Sequence, residues 1–276
     1  MSVVILTGAS SGIGFATAKM LGKQGHRMYV ACRRVEMMEP LKDYGCVPLY
    51  VDMTDSDSIQ QLVQFVMERE GRIDVLVNNA GYGHFGAIEN VTMEQARRQM
   101  EVNLFGLAEL TKAVLPIMRA QGGGRIVNTS SVAGRCVLGF GGWYHVSKYA
   151  LEAFSDALRI ETKPFGIKVI MIEPGGIKTN WGPIAADFLA ENGKGTPYEQ
   201  ASLNEAYWFK LGYGTNLLSS PKVVARAISK AVNRRCPCSR YIVGMGAYSL
   251  LIMRALLPTC LWDAFARVFG KMKRRA

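Results

Sequence analysis

The chain has 276 residues, 33 Lys and Arg against 22 Asp and Glu, a net charge of +11, and 49% hydrophobic residues. That length suits one large domain with a full core, and no apolar run reaches the roughly 18 residues of a membrane span. The positive charge is compatible with nucleic acid, an anionic membrane or an anionic cofactor, but it is dispersed and no nucleic-acid motif accompanies it.

Val3-Val4-Ile5-Leu6 predicts a buried first strand. With a strand opening at Val3 there is no charged segment for a secretory leader, so none is expected. The six cysteines, at 32, 46, 136, 236, 238 and 260, are scattered. They read as reduced thiols of a cytoplasmic protein rather than a disulfide framework. Cys236 and Cys238 lack the further ligands of a zinc site, and no metal is expected.

Gly8, Gly12 and Gly14 follow the strand, with Ser10, Ser11 and Ile13 among them. Ile13, Ala16, Thr17, Met20 and Leu21 then form a helical stripe that Gly25 closes. A strand, a glycine loop and a helix N-terminus make a phosphate site: glycine allows close approach, and the free N–H groups face the anion. The spacing is G-x-x-x-G-x-G, not the common dinucleotide fingerprint. Thr7 through Gly14 resembles, at every fixed position, the T-G-x-x-x-G-x-G opening of the short-chain dehydrogenase/reductase family.

The second strand, Met28 to Cys32, ends at Arg33 and Arg34. In a dinucleotide fold that point meets the adenosine ribose, where an acid bonds the 2′-hydroxyl of NAD and an arginine the 2′-phosphate of NADP. No acid occurs before Glu36, so the arginine pair predicts NADP, with NADPH preferred over NADH. The third strand, Val47 to Val51, leads to Asp52 and Met53, where the resemblance implies an aspartate bonding the adenine amino group. Asp55 or Ser56 is positioned to cap the next helix, whose stripe is Ile59, Leu62, Val63 and Val66.

The fourth strand, Val75 to Val77, runs into Asn78-Asn79-Ala80-Gly81, similar to the family's N-N-A-G signature at all four positions. The small residues let a cofactor lie against the strand end, and the asparagines tie the loop to neighbouring strands. A long helix is expected from about Met93 to Met118. Asn103 inside it is poor for helix propensity; the resemblance implies the catalytic asparagine of a proton relay, and the plainer reading is an amide satisfying backbone groups.

Gly124 to Ser131 reads as the fifth strand with serines at its carboxyl end, where open α/β sheets bind ligands. Tyr144 and Lys148 are four residues apart and share a helix face. They resemble the family's Y-x-x-x-K, with Ser131 at the family's spacing of thirteen residues upstream. The resemblance implies that Tyr144 exchanges the proton with the carbonyl oxygen, that Ser131 orients it, and that Lys148 lowers the tyrosine's pKa by its charge and bonds the nicotinamide ribose. The sixth strand, Val169 to Ile172, precedes Pro174, Gly175, Ile177 and Thr179, similar to the family's P-G segment that holds the carboxamide.

From 180 to 220 strand signals vanish, and a helical lid over the substrate is expected. Pro221 to Val232 predicts an amphipathic helix and Tyr241 to Val243 a last short strand. Val137, Leu138, Phe140 and Trp143, together with Tyr82, His84 and Phe85, are expected to border the substrate, and Trp181, Phe188, Tyr207, Trp208 and Phe209 to do so from the lid. From these, Ser131, Leu138, Trp143, Tyr144 and Trp181 are taken as substrate-binding. Such an apolar site predicts a bulky carbonyl or alcohol, with the resemblance nearest the hydroxysteroid and retinol dehydrogenase branch.

Residues 247–276 are apolar, broken at Pro258, and end in Lys271, Lys273, Arg274 and Arg275. They form an extension that packs on the domain or a partner, or lies on a membrane surface as a basic-anchored helix. The expected architecture is a Rossmann-type α/β fold: one doubly wound parallel sheet of about seven strands in a single domain, with the dehydrogenase portion at 1–246 and its extension at 247–276. The resemblance implies an NADP(H)-dependent oxidoreductase acting on CH–OH groups, as a homodimer or homotetramer. The alternative on the same fold is an NADP(H)-sensing or membrane-surface binding protein without turnover.

Overall fold

The computed structural model describes the backbone of residues 1–271 and side chains through Arg267. The basic cluster at Lys271, Lys273, Arg274 and Arg275 lies outside the described side chains.

Seven parallel strands form one sheet in the order β3-β2-β1-β4-β5-β6-β7. They are β1 Val3–Thr7, β2 Arg27–Cys32, β3 Cys46–Tyr50, β4 Val75–Asn78, β5 Gly124–Thr129, β6 Ile167–Pro174 and β7 Arg240–Val243. The chain leaves β1 toward β2 and β3, then crosses back to place β4 on the other side of β1. That reversal opens a crevice at the carboxyl ends of β1 and β4. Val4, Ile5 and Leu6 pair with Met28, Tyr29 and Val30 on one side and with Val75, Leu76 and Val77 on the other. All of them are buried, as a strand covered on both faces requires.

Helices cover the two faces. On one, α1 (Gly12–Lys23) and α8 (Pro221–Asn233) pack together; on the other lie α2 (Ser56–Glu70), α4 (Gly106–Ala120) and α5 (Gly142–Thr162). Asp55 caps α2 by accepting from the Asp57 N–H at 3.0 Å. The helix expected from Met93 to Met118 is instead two helices, α3 (Met93–Met100) and α4, joined by a π-helical turn at Glu101–Phe105. Such turns are rare and recur at functional sites, and this one holds Asn103.

The lid consists of α6 (Trp181–Gly193) and α7 (Glu199–Gly214), packed side by side over a third apolar cluster that contains Phe85, Tyr144, Ala185, Ala186, Leu189 and Ala206. The extension forms α9 (Ala247–Leu256) and α10 (Thr259–Lys271), divided at Pro258. Helix α10 packs on α7. Trp262 is buried and donates from Nε1 to the Val137 carbonyl at 3.0 Å, with the Arg254 guanidinium 5.6 Å from its ring. The extension therefore buttresses the lid, while Tyr248, Ile252, Leu256 and Leu261 stay exposed. Among the described residues no helix is long and apolar enough to cross a membrane.

Candidate active site

The glycine loop is shaped by contacts that a side chain would destroy. A Cβ at Gly14 would lie 2.1 Å from the Gly8 carbonyl oxygen and 2.8 Å from Asn79 Nδ2. Gly8 has φ +70° and would also meet Ala80 backbone at 2.8 Å, so both steric room and a positive φ require glycine there. Asn79 holds the loop from the next strand: its Nδ2 donates to the carbonyls of Thr7 and Gly8, both at 3.2 Å. Thr7 Oγ1 accepts from the Asn79 and Ala80 N–H groups, both at 3.1 Å. Asn78 donates to Asn128 on β5 at 2.9 Å and to Thr111 at 3.1 Å. Helix α1 has no side-chain cap, which leaves the N–H groups of its first turn for an anion.

These residues border a cleft of about 1000 Å³. It is lined by Gly8, Ser10, Ser11, Gly12, Ile13 and Gly14, by Arg33 and Arg34 past β2, by Asp52 and Met53 past β3, and by Asn79, Ala80 and Gly81 past β4. Pro174, Gly175, Ile177 and Thr179 line its opposite wall, and Ser131, Tyr144 and Lys148 stand between. The uncapped helix end, the cradle that a Cβ would fill and the arginine pair together fit a dinucleotide.

Lys148 Nζ donates to the Thr129 carbonyl at 2.9 Å and sits 5.9 Å from the centroid of the Tyr144 ring. Burial pulls its ammonium down to about 8, against the opposing charge of Glu152 one turn along α5. Tyr144 behaves contrary to the expectation from lysine charge. Burial drives its phenol well above the usual tyrosine range, partly offset by a hydrogen bond with Ser131. Desolvation disfavours both charged forms here, so in this state the tyrosine is held as a proton donor. Ser131 Oγ accepts from the Ala133 N–H at 3.1 Å.

Asn103 is buried, and its amide is consumed by the surrounding chain. Nδ2 donates to the Tyr82 carbonyl at 2.9 Å and to Ser147 Oγ at 3.0 Å, and Oδ1 accepts from the Tyr82 N–H at 3.1 Å. The side chain thus ties the π turn to the loop after β4 and to α5, beside Lys148. It is not among the cleft-lining residues.

The apolar end of the cleft contains Leu138, Tyr82, His84, Phe85, Trp181, Phe188 and Phe209. Trp181 lies 5.0 Å from Tyr144 between ring centroids, and Phe85 lies 5.8 Å from it. Trp143 is outside the lining, as are Val137, Phe140, Tyr207 and Trp208. For Trp143, Tyr207 and Trp208 helix geometry accounts for this, because adjacent positions on α5 and α7 point about 100° apart.

Three features were not read from the sequence. His145 accepts from the Leu138 N–H at Nε2, 3.1 Å, and its Nδ1 meets the Ala133 carbonyl at 2.9 Å, pinning the loop between Ser131 and Tyr144. Its adjacency to Tyr144 was the available signal. Behind Lys148, Arg240 of β7 bonds Glu152, Glu173 at 2.7 Å and Asp156 at 2.5 Å, while Arg135 reaches Glu173 at 3.2 Å. Glu205 of α7 also lines the cleft. No local pattern marks either.

A family model described as short chain dehydrogenase matches residues 2–185. A probable short-chain type dehydrogenase/reductase of Helicobacter pylori is 35% identical over 99% of both chains. A 3-ketodihydrosphingosine reductase of Bacteroides thetaiotaomicron is 43% identical over 65% of each chain. The rat 17-beta-hydroxysteroid dehydrogenase type 6 is 36% identical over 99% of this chain and 90% of its own. Among solved structures, a short-chain dehydrogenase from Streptomyces avermitilis superposes with a TM-score of 0.80 at 32% identity, covering 97% of this chain and 99% of that one. A metagenomic short-chain oxidoreductase in complex with NADP matches with a TM-score of 0.61 at 32% identity, over 63% of this chain and 82% of that one.

Proposed function

The chain belongs to the short-chain dehydrogenase family, and on that premise we propose that it transfers a hydride between NADP(H) and the secondary alcohol or ketone of a bulky, mostly apolar substrate: a steroid, a retinoid or an acyl-derived carbonyl. The observation that carries this is the convergence of Ser131, Tyr144 and Lys148 in one cleft, between the phosphate cradle and a wall of aromatic rings. A pocket of that make-up, apolar with a few convergent polar groups, suits a large ligand with one reacting oxygen.

The glycine loop and the first turn of α1 would hold the cofactor's phosphates, Arg33 and Arg34 its 2′-phosphate, and the segment from Pro174 to Thr179 its nicotinamide end. When bound, the cofactor supplies or accepts the hydride. In the direction of reduction, Tyr144 gives its proton to the carbonyl oxygen and Ser131 orients that oxygen by hydrogen bonding. Lys148 then offers a proton to the tyrosine side of the site, its ammonium held by the Thr129 carbonyl. Asn103 acts by positioning the loop that begins at Tyr82. Leu138 and Trp181 flank the substrate carbon skeleton.

The NADP complex of the metagenomic relative supports the cofactor reading. The hydroxysteroid dehydrogenase, named for an alcohol, and the 3-ketodihydrosphingosine reductase, named for a ketone, support the alcohol–ketone reading and its substrate class. NADPH oxidation with a panel of ketones of rising apolar size tests the proposal. Specificity constants should climb with size, and Tyr144→Phe should lower turnover about 10²–10⁴-fold with little change in cofactor affinity. A binding protein on this fold would hold NADPH and leave every ketone unreduced.

Two surfaces support contacts beyond the substrate. The exposed ridge of Tyr248, Ile252, Leu256 and Leu261 is suited to the apolar boundary of a membrane. On α5, Val146, Tyr149 and Ile160 are exposed along one helix face and suit pairing of two copies.

A further inference from the structure

One carboxyl in the cleft has no partner. Glu205 is 9% exposed, and its Oε2 atom is buried with no hydrogen-bond partner among the described residues. Burial alone holds the acid up at about 7, and no cation acts on it. Burying a polar group without a partner is costly, so a carboxyl kept in an aromatic cleft calls for a ligand that completes it.

Its place along α7 says which end of the ligand that is. Glu205, Phe209 and Tyr213 recur at four-residue intervals, share one helix face and all line the cleft. Tyr213 packs against Gly182 at the start of α6, close enough to Tyr144 for its charge to act on that phenol. Phe209 stacks on Tyr213 at 6.4 Å and meets Phe85 edge-on at 5.5 Å. Glu205 follows two turns further on, about 12 Å of helix rise from Tyr213. The cleft therefore runs from the proton-donating tyrosine, past aromatic rings, to an unpaired acid.

We propose that Glu205 is a specificity-determining residue that binds a hydrogen-bond-donating group, a hydroxyl or a protonated amine, at the end of an apolar substrate remote from its carbonyl. This rests on the cleft being a carbonyl-reducing site. A terminal methyl leaves the buried acid unpaired, and a terminal carboxylate sets like charge against it. Sites built to hydrogen-bond a ligand reject the analogue that lacks the bond more strongly than apolar pockets reject a missing methylene.

The experiment uses the full chain, NADPH, a pH well above 7 so that the acid is ionised, and a medium-chain methyl ketone with its terminally hydroxylated, aminated and carboxylated analogues. Turnover is measured beside binding, the latter by quenching of tryptophan fluorescence, since Trp181 lines the cleft. The hydroxylated or aminated ketone should exceed the methyl ketone by about 10- to 100-fold in specificity constant, in line with one hydrogen bond to a charged group, and the carboxylated one should be poorest. Glu205→Leu should reverse the order in favour of the methyl ketone. Glu205→Gln distinguishes the two donors, keeping a preference for hydroxyl and losing one for amine. Both variants are first checked for wild-type melting temperature and NADPH affinity. The same ranking in wild type and Glu205→Leu, in both readouts, overturns the inference. Absence of turnover with a Glu205-dependent binding order would instead sink the reductase reading and leave the subsite standing.

Discussion

Replacing Arg240 by leucine should destabilise the protein by exposing what the arginine neutralises. Its guanidinium joins Glu152 and Asp156 of α5 to Glu173 of β6. The side chain of Glu173 is 0% exposed and that of Glu152 is 10%, whereas Asp156 is 44% exposed and can return to water. Breaking a buried pair by deleting one partner costs about 3–5 kcal/mol. Glu173 keeps Arg135 at 3.2 Å, so the lower end, about 3 kcal/mol, is expected. At roughly 2.1 cal/mol/K per residue, a chain of 276 residues unfolds with an entropy of about 0.6 kcal/mol/K near its melting temperature. The melting temperature should therefore fall by about 5 °C.

The pH dependence identifies the cause. Burial already raises Glu152, with Ser130 and Arg240 opposing, and without Arg240 its folded pKa rises further above the unfolded value of about 4.3. A group with a raised folded pKa keeps its stability below the unfolded pKa and loses it as pH rises through the folded one. The deficit of Arg240→Leu should thus be full near neutral pH and shrink toward pH of about 4. Circular dichroism melts of wild type, Arg240→Leu and Arg240→Leu/Glu152→Gln measure it, and the double variant should recover part of the loss. A shift below about 2 °C, or a deficit that does not change with pH, would refute the account.

With Lys148 at about 8 in the free protein, its protonated form should bind the anionic cofactor more tightly; NADPH affinity stays level below that pH and falls by up to about tenfold per unit above it. Calorimetric titrations should show proton uptake, and an identical pH slope in Lys148→Met would exclude the lysine as its source. Arg33→Ala should raise the NADPH Michaelis constant roughly 10- to 150-fold with Arg34 compensating in part, and NADH kinetics should barely move; equal use of both cofactors by wild type would contradict the role of the pair. Ile252→Ser/Leu256→Ser changes only exposed positions of α9 and should reduce sedimentation with anionic liposomes. Unchanged partitioning would remove that ridge from membrane contact.

The strand–glycine–helix opening, Asn78 to Gly81, and Tyr144 with Lys148 were legible in the sequence because each is a local device. A positive φ at Gly8 or a shared helix face for residues four apart is decided within a few residues. The order of alternating strands and helices carried the parallel sheet for the same reason, through periodicity and the rule that parallel strands need helical crossovers. Burial and pairing are different, since they depend on which distant segments meet. Trp143 and Trp262 look alike in sequence, yet one lies outside the cleft lining and the other is buried under the loop after β5. Asn103 sits in a π turn where periodicity predicted continuous helix. The Tyr144 phenol is raised by burial in the apolar cluster that it shares with Phe85 and residues of α6 and α7, contacts that form only when those segments meet. Arg240 meets carboxylates 67 to 88 residues away, and Glu205 is an ordinary lid carboxylate until the fold buries it at the cleft.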